Sequence, residues 1–385
     1  MQLIPRQIIT QFAHVLQQDL FPALAAAVGQ LSPQLELLAS AMSMLSLDQI
    51  LSSWRSHTGR PAKDRSALAT AFLAKAVLGL RTTRDLMDRL RVDDALRRFC
   101  GWNSAQALPH ESKFSRAFAE FAALELPQRL HAALIEDTQS ARLVGHIARD
   151  STAIPAREQF PAEAREKKVA AKPAKRKHPK GSFDKAKADE RGTRIERQRK
   201  QKLAVMLADL PQQCDFGAKK NTDGNQQYWR GYKLHLDVAD GQAPISALLT
   251  SASVHDSQVA IPLMTMTSKR VTYLYDLMDS AYDADAIHQH SRQLNHVPII
   301  APHSRRGTKK PSQLPNIFPA QLTPQLTWAQ QDRFKERSMS ERVNARLKDE
   351  FGGSQIRVRG PAKVMAHLMF GVLALTVDQI LRLIP

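Results

Sequence analysis

Cysteine is nearly absent: of 385 residues only Cys100 and Cys214 carry thiols, and neither belongs to a CxxC pair. That excludes a disulfide framework and a cysteine-built zinc site, leaving two reduced thiols of the kind expected in the cytosol. Long apolar runs are also missing. The opening segment, MQLIPRQIITQFAHVLQQDLF, has a basic residue but no continuous apolar core, which argues against a signal peptide. Near the other end, HLMFGVLALTVDQILRLI is interrupted by Asp378 and Arg382. Its uncharged stretch is too short to span a bilayer, so a buried helix and no membrane partner are expected. Acidic residues are the third shortage, 37 against 55 Lys and Arg, which leaves a formal charge of +18. Such a surplus favours a polyanionic partner, nucleic acid being the commonest. A basic enzyme whose charge merely keeps it soluble is the alternative.

What is present suffices for real cores: 43% of residues are hydrophobic, and the length suggests two domains. Residues 1–140 read as helical throughout. Leu68, Phe72, Leu73, Ala76, Val77 and Leu80 recur at helical spacing on one face. Gly79 permits a turn, and Thr82 with Asp85 resembles a capping box that opens a second helix. With Arg81, Arg84, Arg89 and Arg91 alongside, the pair suits a helix-turn-helix lying on DNA, or equally a helical hairpin with a solvated basic face. Phe114, Phe118 and Phe121 form a further helical stripe that belongs in a core.

Beyond residue 140 the pattern changes. RLVGHIARDSTAI carries strand signals, and Asp150 is expected to close that strand. Residues 157–202 hold 17 basic and 7 acidic side chains with almost no apolar periodicity. They read as a basic insertion, disordered or loosely helical until an anion orders it. Order is expected again from residue 228. Tyr232, Leu234, Leu236 and Val238 alternate with Lys233, His235 and Asp237, the period of a strand with one buried face. On that alternation His235 faces the polar side, where it could be solvent-exposed. Asp240-Gly241 makes a turn, ISALLT a second strand, and Asp256 is placed to cap the helix that follows. VTYLYDL then delivers the chain to Asp279, Asp283 is placed to start another helix, VPII is a short strand, and one long helix is expected over 334–350. This order describes an α/β mixed sheet, hairpin first and helical crossovers after.

Three acids stand where such a topology can use them for metal chemistry: Asp150, Asp279 and Glu341. Hard cations such as Mg²⁺ or Mn²⁺ favour carboxylate oxygens, and two such ions ~4 Å apart can assist both sides of a phosphoryl transfer. On a single helix Phe334, Arg337, Glu341 and Lys348 would share one face, while Met339, Val343 and Leu347 dock another on the sheet. Arg337 and Lys348 could then hold DNA phosphates beside the acid. Taken alone, spaced charge pairs on a surface helix explain the segment as well.

The spacing F-x2-R-x3-E-x6-K at 334–348 resembles the Y-x2-R-x3-E-x6-K signature of bacterial insertion-sequence transposases of the DDE type, with Phe334 in place of the usual Tyr. ARDST (148–152), GYKLH (231–235), TSASVHDS (250–257), DSAYDA (279–284) and ERVNARLKDEFGG (341–353) are similar to the same group. So are PHESKFSRAF (109–118) and the RVRG–HL–FG tail. The resemblance implies a ribonuclease-H-like core with an α-helical N-terminal domain, and it assigns Asp150, Asp279 and Glu341 as catalytic, metal-holding acids for Mg²⁺, or Mn²⁺ as a substitute, two ions per site.

The expected organisation is a DNA-binding region at 1–140, a catalytic core at 141–353 interrupted at about 157–225, and a C-terminal helix at 354–385. The expected partners are double-stranded DNA, both element ends and target, and a second copy of the chain when on DNA. The expected location is the bacterial cytoplasm. Arg337, Lys348, Lys233, Arg230 and Arg84 are the candidate DNA contacts; Tyr228 and Trp229 beside Arg230 would suit a stacked base. Asp256 is read as a helix cap more than as a fourth ligand. A nuclease without strand transfer and a non-catalytic DNA-binding protein are the competing functions.

Overall fold

The computed structural model describes residues 31–45, 47–52, 64–158, 193–220, 225–302 and 326–383, with four isolated positions nearer the N-terminus. Most of the basic insertion, 159–192, and nearly all of residues 1–30 lie outside the described residues.

The helical region comprises α1 (Pro33–Met44), α2 (Leu47–Ser52), α3 (Arg65–Val77), α4 (Thr83–Val92), α5 (Asp94–Phe99), α6 (Glu111–Ala123) and α7 (Leu126–Gln139). The capping box is present at the start of α4: the Asp85 amide donates to the Thr82 hydroxyl and the Thr82 amide to the Asp85 carboxylate, each at 3.0 Å. The one-sided stripe expected on α3 understates its burial, because every residue from Ala67 to Val77 is buried. A helix apolar all round needs partners on several sides, and α1, α2, α6 and α14 (Pro361–Arg382) supply them. Of the expected hairpin, only α4 therefore presents an exposed arginine face. Phe114, Phe118 and Phe121 are all buried, and Phe72 meets each of them with ring centroids 4.8–6.3 Å apart. By length and composition α14 could cross a membrane, but 78% of its most apolar stretch is buried in the protein. It runs against α1, α3, α6 and α7 and also touches β4 of the sheet.

Among the described residues the sheet has six strands: β1 (Leu143–Pro155), β2 (Asp215–Lys220), β3 (Gln226–Ala239), β4 (Ala243–Ser251), β5 (Thr272–Met278) and β6 (Val297–Ile300). Their order is β2-β3-β1-β5-β6, with β4 also paired to β3. β3 runs antiparallel to both β1 and β4, whereas β5 and β6 add in parallel through the crossover helices α10 (Ser257–Ser268) and α11 (Asp285–Gln293). Contrary to the expectation of regular structure only from residue 228, α8 (Arg194–Gln198), α9 (Leu203–Asp209) and β2 lie ahead of it. β3 serves three partners along its length, pairing with β2 up to Gly231, with β1 from Gly231 onward, and with β4 from Tyr232 onward. Gly231 sits at φ +152 where a Cβ would run into the Ile154 carbonyl oxygen, so only glycine lets the two strands close there.

The single helix expected over 334–350 is two: α12 (Trp328–Lys335) and α13 (Ser338–Asp349). Between them Arg337 N bonds to Phe334 O, Met339 N to Glu336 O and Ser340 N to Arg337 O, an i→i−3 pattern that tightens the chain and breaks the α-helical ladder. Met339, Val343 and Leu347 are buried, and α13 packs on β1 and β3.

Candidate active site

β1 does not end at Asp150; it runs on to Pro155 because β3 pairs with it as far as Gly231. Its parallel pairing with β5 stops at Ala148↔Leu277, and two residues further each chain segment bears an acid, Asp150 and Asp279. Strand periodicity places both on the same side of the sheet. Asp279 caps the short 3-10 turn Ser280–Tyr282, its carboxylate accepting the Ala281 amide at 2.9 Å. From α13, Asn344 donates its side-chain amide to Asp150 Oδ2 at 3.3 Å. Burial pushes the Asp150 carboxyl up to about 6, and the neighbouring charge of Asp279 adds to the rise, against the pull of the Ser151 amide, Arg337 and Lys219. Burial likewise raises Asp279.

Glu341 lies one helical turn before Asn344 on α13. Its side chain is 56% exposed and accepts a 2.7 Å hydrogen bond from Arg337. Arg337 also acts electrostatically on Asp150 and Asp279, and its guanidinium carbon lies 5.9 Å from the centre of the Phe334 ring. The signature thus spans two helices yet keeps Phe334, Arg337 and Glu341 in contact. The third acid meets the other two through a shared arginine; among the described residues no group of three or more His, Cys, Asp or Glu side chains is close enough to hold one ion. Lys348 is within electrostatic reach of Asp150, and burial lowers its own pKa.

The remaining expected contacts are placed as follows. Lys233 donates to Asp256 and to the Val254 carbonyl, both at 2.9 Å. Arg230 is half-buried, its Nε without a hydrogen-bond partner among the described residues. Arg84 is exposed and 3.5 Å from Glu111, remote in the fold on α4. Trp229 is half-buried over Gly217 and donates to the Tyr232 carbonyl at 3.0 Å.

Three expectations are corrected. Asp256 stands at the N-cap position of α10 without a side-chain cap bond; its carboxylate is taken by Lys233 instead. Burial alone would raise it, but the interaction with His235, the charge and hydrogen bond of Lys233 and a hydrogen bond from Ser151 together outweigh burial and hold it below the usual carboxylate range. His235 is fully buried rather than solvent-exposed, because α10 covers that face of β3; it meets Thr250 at 2.9 Å, and burial pushes it down to about 4. Asp283 does not begin α11, whose N-cap is Ala284; it reaches His288 at 3.1 Å.

Two residues near the acids had no role assigned from the sequence. Lys219, on β2, acts on both Asp150 and Asp279; it falls in the stretch read as insertion. The Tyr282 hydroxyl is buried without a hydrogen-bond partner among the described residues and lies within electrostatic reach of Asp256, Asp150 and Asp279. The DSAYDA segment is its only signal.

Behind this site lies a buried charge cluster. Arg149, on the opposite face of β1 from Asp150, donates to Asp237 of β3 at 2.6 Å and to Asp276 of β5 at 3.3 Å. Thr267 adds a bond to Asp237 and Ser291 one to Asp276, each at 2.6 Å. The cluster ties together the three strands on which the two aspartates depend.

A mixed sheet with an antiparallel hairpin, parallel additions through helices, and paired acids just past the end of the β1–β5 pairing is the frame found in metal-assisted phosphoryl-transfer cores. A family model described as Transposase DDE domain matches residues 145–377, and one described as Transposase domain (DUF772) matches residues 28–120. The chain belongs to the DDE transposase family, and its core has the ribonuclease-H-like fold class expected from the sequence. No curated protein and no solved structure matches it.

Members of this family generally use divalent metal ions. The residues suit such a group on chemical grounds. Two partly buried carboxylates carry raised pKa values because burial and nearby acids disfavour their charge, and a hard dication relieves both causes at once. Glu341 gives only its Oε1 to Arg337, and its side chain is exposed.

Proposed function

We propose that this transposase cuts and joins DNA strands at the terminal inverted repeats of its own insertion sequence, with Asp150, Asp279 and Glu341 as the catalytic acids. The observation that carries this reading is the pair of like-facing aspartates, each two residues past the end of the parallel β1–β5 pairing and linked to Glu341 through Arg337. The three carboxylates would hold Mg²⁺, or Mn²⁺ in its place, two ions per site. When bound, the metal supplies charge stabilisation to the phosphoryl group and lowers the pKa of an attacking hydroxyl.

The protein's own groups do the rest. Asn344 orients the Asp150 carboxylate through its amide, and the Ala281 amide orients Asp279. Arg337, Lys348 and Lys219 surround the acids with positive charge suited to the phosphates on either side of the cut. Lys233 and Arg230 belong to the same side of the reading as DNA contacts from β3, and Arg84 as one from the helical region. Water hydrolyses the phosphodiester at the element's end and frees its 3′-hydroxyl, which then attacks a target phosphodiester and displaces the target strand's own 3′-oxygen, so no protein nucleophile is required. Two element ends must be held together, which makes a dimer on DNA the working assembly, in the bacterial cytoplasm where the nucleoid lies.

The test is cleavage of labelled DNA carrying the element's flanks, with Mg²⁺ or Mn²⁺, by wild type and by Asp150→Asn. Metal-dependent nicks at the repeat boundary, absent with the variant, support the reading, and a joined product distinguishes transposition from simple nuclease action. Tight binding by wild type with no cut under any metal condition would leave a DNA-binding protein without catalysis.

A further inference from the structure

Two segments that resemble the family have no part in the acidic cluster: PHESKFSRAF and the RVRG–HL–FG tail. They meet. Together with the α3–α4 turn they line a cleft of about 760 Å³. Its apolar lining includes Phe72 and Phe118 from the helical region, and Phe351 and Phe370 from the C-terminal part. Six cations and two acids line it, the cations being Lys75, Arg81, Arg84, Arg357, Arg359 and Lys363.

The acids are already committed. Asp85 is tied into the capping box of α4, and Glu111 faces Arg84. Lys75, Arg81, Arg357, Arg359 and Lys363 have neither an ion pair nor a side-chain hydrogen bond among the described residues. Arg81, Arg357, Arg359 and Lys363 are exposed. Lys75 is only 8% exposed and lines the cleft, its stem packed into the wall. Burial lowers its pKa to about 8, against a weaker upward pull from Asp85, the one acid that acts on it. A largely buried cation with so little compensation is better satisfied when an anion enters beside it.

We propose that this cleft is a second DNA-binding site, which takes phosphodiester groups of duplex DNA between Lys75 in its lining and Arg81, Arg357, Arg359 and Lys363 at its surface. The inference rests on the reading of the protein as a DNA transposase. Its partner follows from charge: the lining carries a surplus of four positive charges, and a polyanion satisfies several spaced cations at once. Its place follows from α13. That helix carries Glu341 near its start and leads at its end into Phe351 and Gly352 of the cleft wall. Ten residues of helix span roughly 15 Å, so one DNA molecule can touch both. Contacts of this kind position the duplex without reading its sequence.

The experiment is binding of a short fluorescent duplex of arbitrary sequence to the full chain, measured by anisotropy over a range of salt. Wild type is compared with the triple variant Arg357→Ala/Arg359→Ala/Lys363→Ala and with Lys269→Ala, an exposed cation outside the cleft and the acidic site. The triple variant should bind about tenfold or more weakly at moderate salt. Its log–log salt slope should fall by roughly two to three, about one for each phosphate no longer held. Lys269→Ala should bind as wild type does. A correctly folded triple variant with wild-type affinity and slope overturns the inference while leaving the transposase reading intact. Failure of wild type to bind any duplex sinks both.

A second measurement needs no substitution. Lys75 acetylation, followed by mass spectrometry, should be suppressed by the duplex. Protection by inorganic phosphate but not by DNA would make the cleft a small-anion site and refute its assignment to DNA.

Discussion

Arg337 donates a 2.7 Å hydrogen bond to Glu341, and the same guanidinium lies within electrostatic reach of Asp150 and Asp279. Arg337 thus offsets charge on all three acids, and its bond to Glu341 takes one carboxylate oxygen and leaves the other free.

Glu341→Gln should therefore lower strand cleavage by about a hundredfold or more, the scale on which loss of one electrostatic stabiliser acts. Binding to duplex DNA should persist or tighten slightly, because Arg337 is released toward phosphate. Gel-shift and cleavage assays on the same preparations read both. Cleavage at the wild-type rate would remove Glu341 from the catalytic set.

The raised pKa of Asp150 makes stability depend on pH in a definite direction. Its folded carboxyl keeps a proton up to about 6 because of burial, against a usual value of 3.8. The folded state therefore binds the proton more tightly, and stability falls as pH rises from about 4 to about 6, then stays lower. Two pKa units correspond to about 3 kcal/mol. Asp150→Asn should flatten that slope and raise the melting temperature above pH 6 in the absence of metal. Added Mg²⁺ or Mn²⁺ should stabilise wild type and do so much less in the variant; thermal melts across pH with and without metal measure both effects.

Arg149→Met should destabilise the fold by about 3–5 kcal/mol, because it strands Asp237 and Asp276 in the interior without a counter-charge. Chemical denaturation reads the loss. Asp237→Asn with Arg149 retained should cost less, since Asp276 still pairs with the guanidinium. Equal stability of Arg149→Met and wild type would mean that the cluster does not hold β1, β3 and β5 together.

The regular parts of this fold were legible because their signals are local. The alternation of Tyr232, Leu234, Leu236 and Val238, the Thr82–Asp85 box and the Phe114–Phe118–Phe121 stripe each need only a few neighbouring residues, and each is present as read. His235 misled because alternation reports which side of a strand a residue takes, not what covers that side; α10 covers it. Asp256 misled because its position suits a cap, while its charge found a stronger partner in Lys233, distant in sequence. The break between α12 and α13 left no proline or glycine to mark it, for the i→i−3 bonding there involves backbone groups that any residue carries.

By itself the sequence determined the class of this protein: the run of strands and crossover helices, and motif spacings whose resemblance to DDE transposases the family match bears out. These are properties of residues near one another along the chain. Only the tertiary structure decided how distant groups meet. It set Asp150 beside Asp279 across parallel strands, turned Glu341 toward Arg337, buried Arg149 between two aspartates, and closed RVRG against the α3–α4 turn around Lys75. Burial and charge in such contacts depend on what long-range packing brings opposite each side chain, and local pattern carries no record of that.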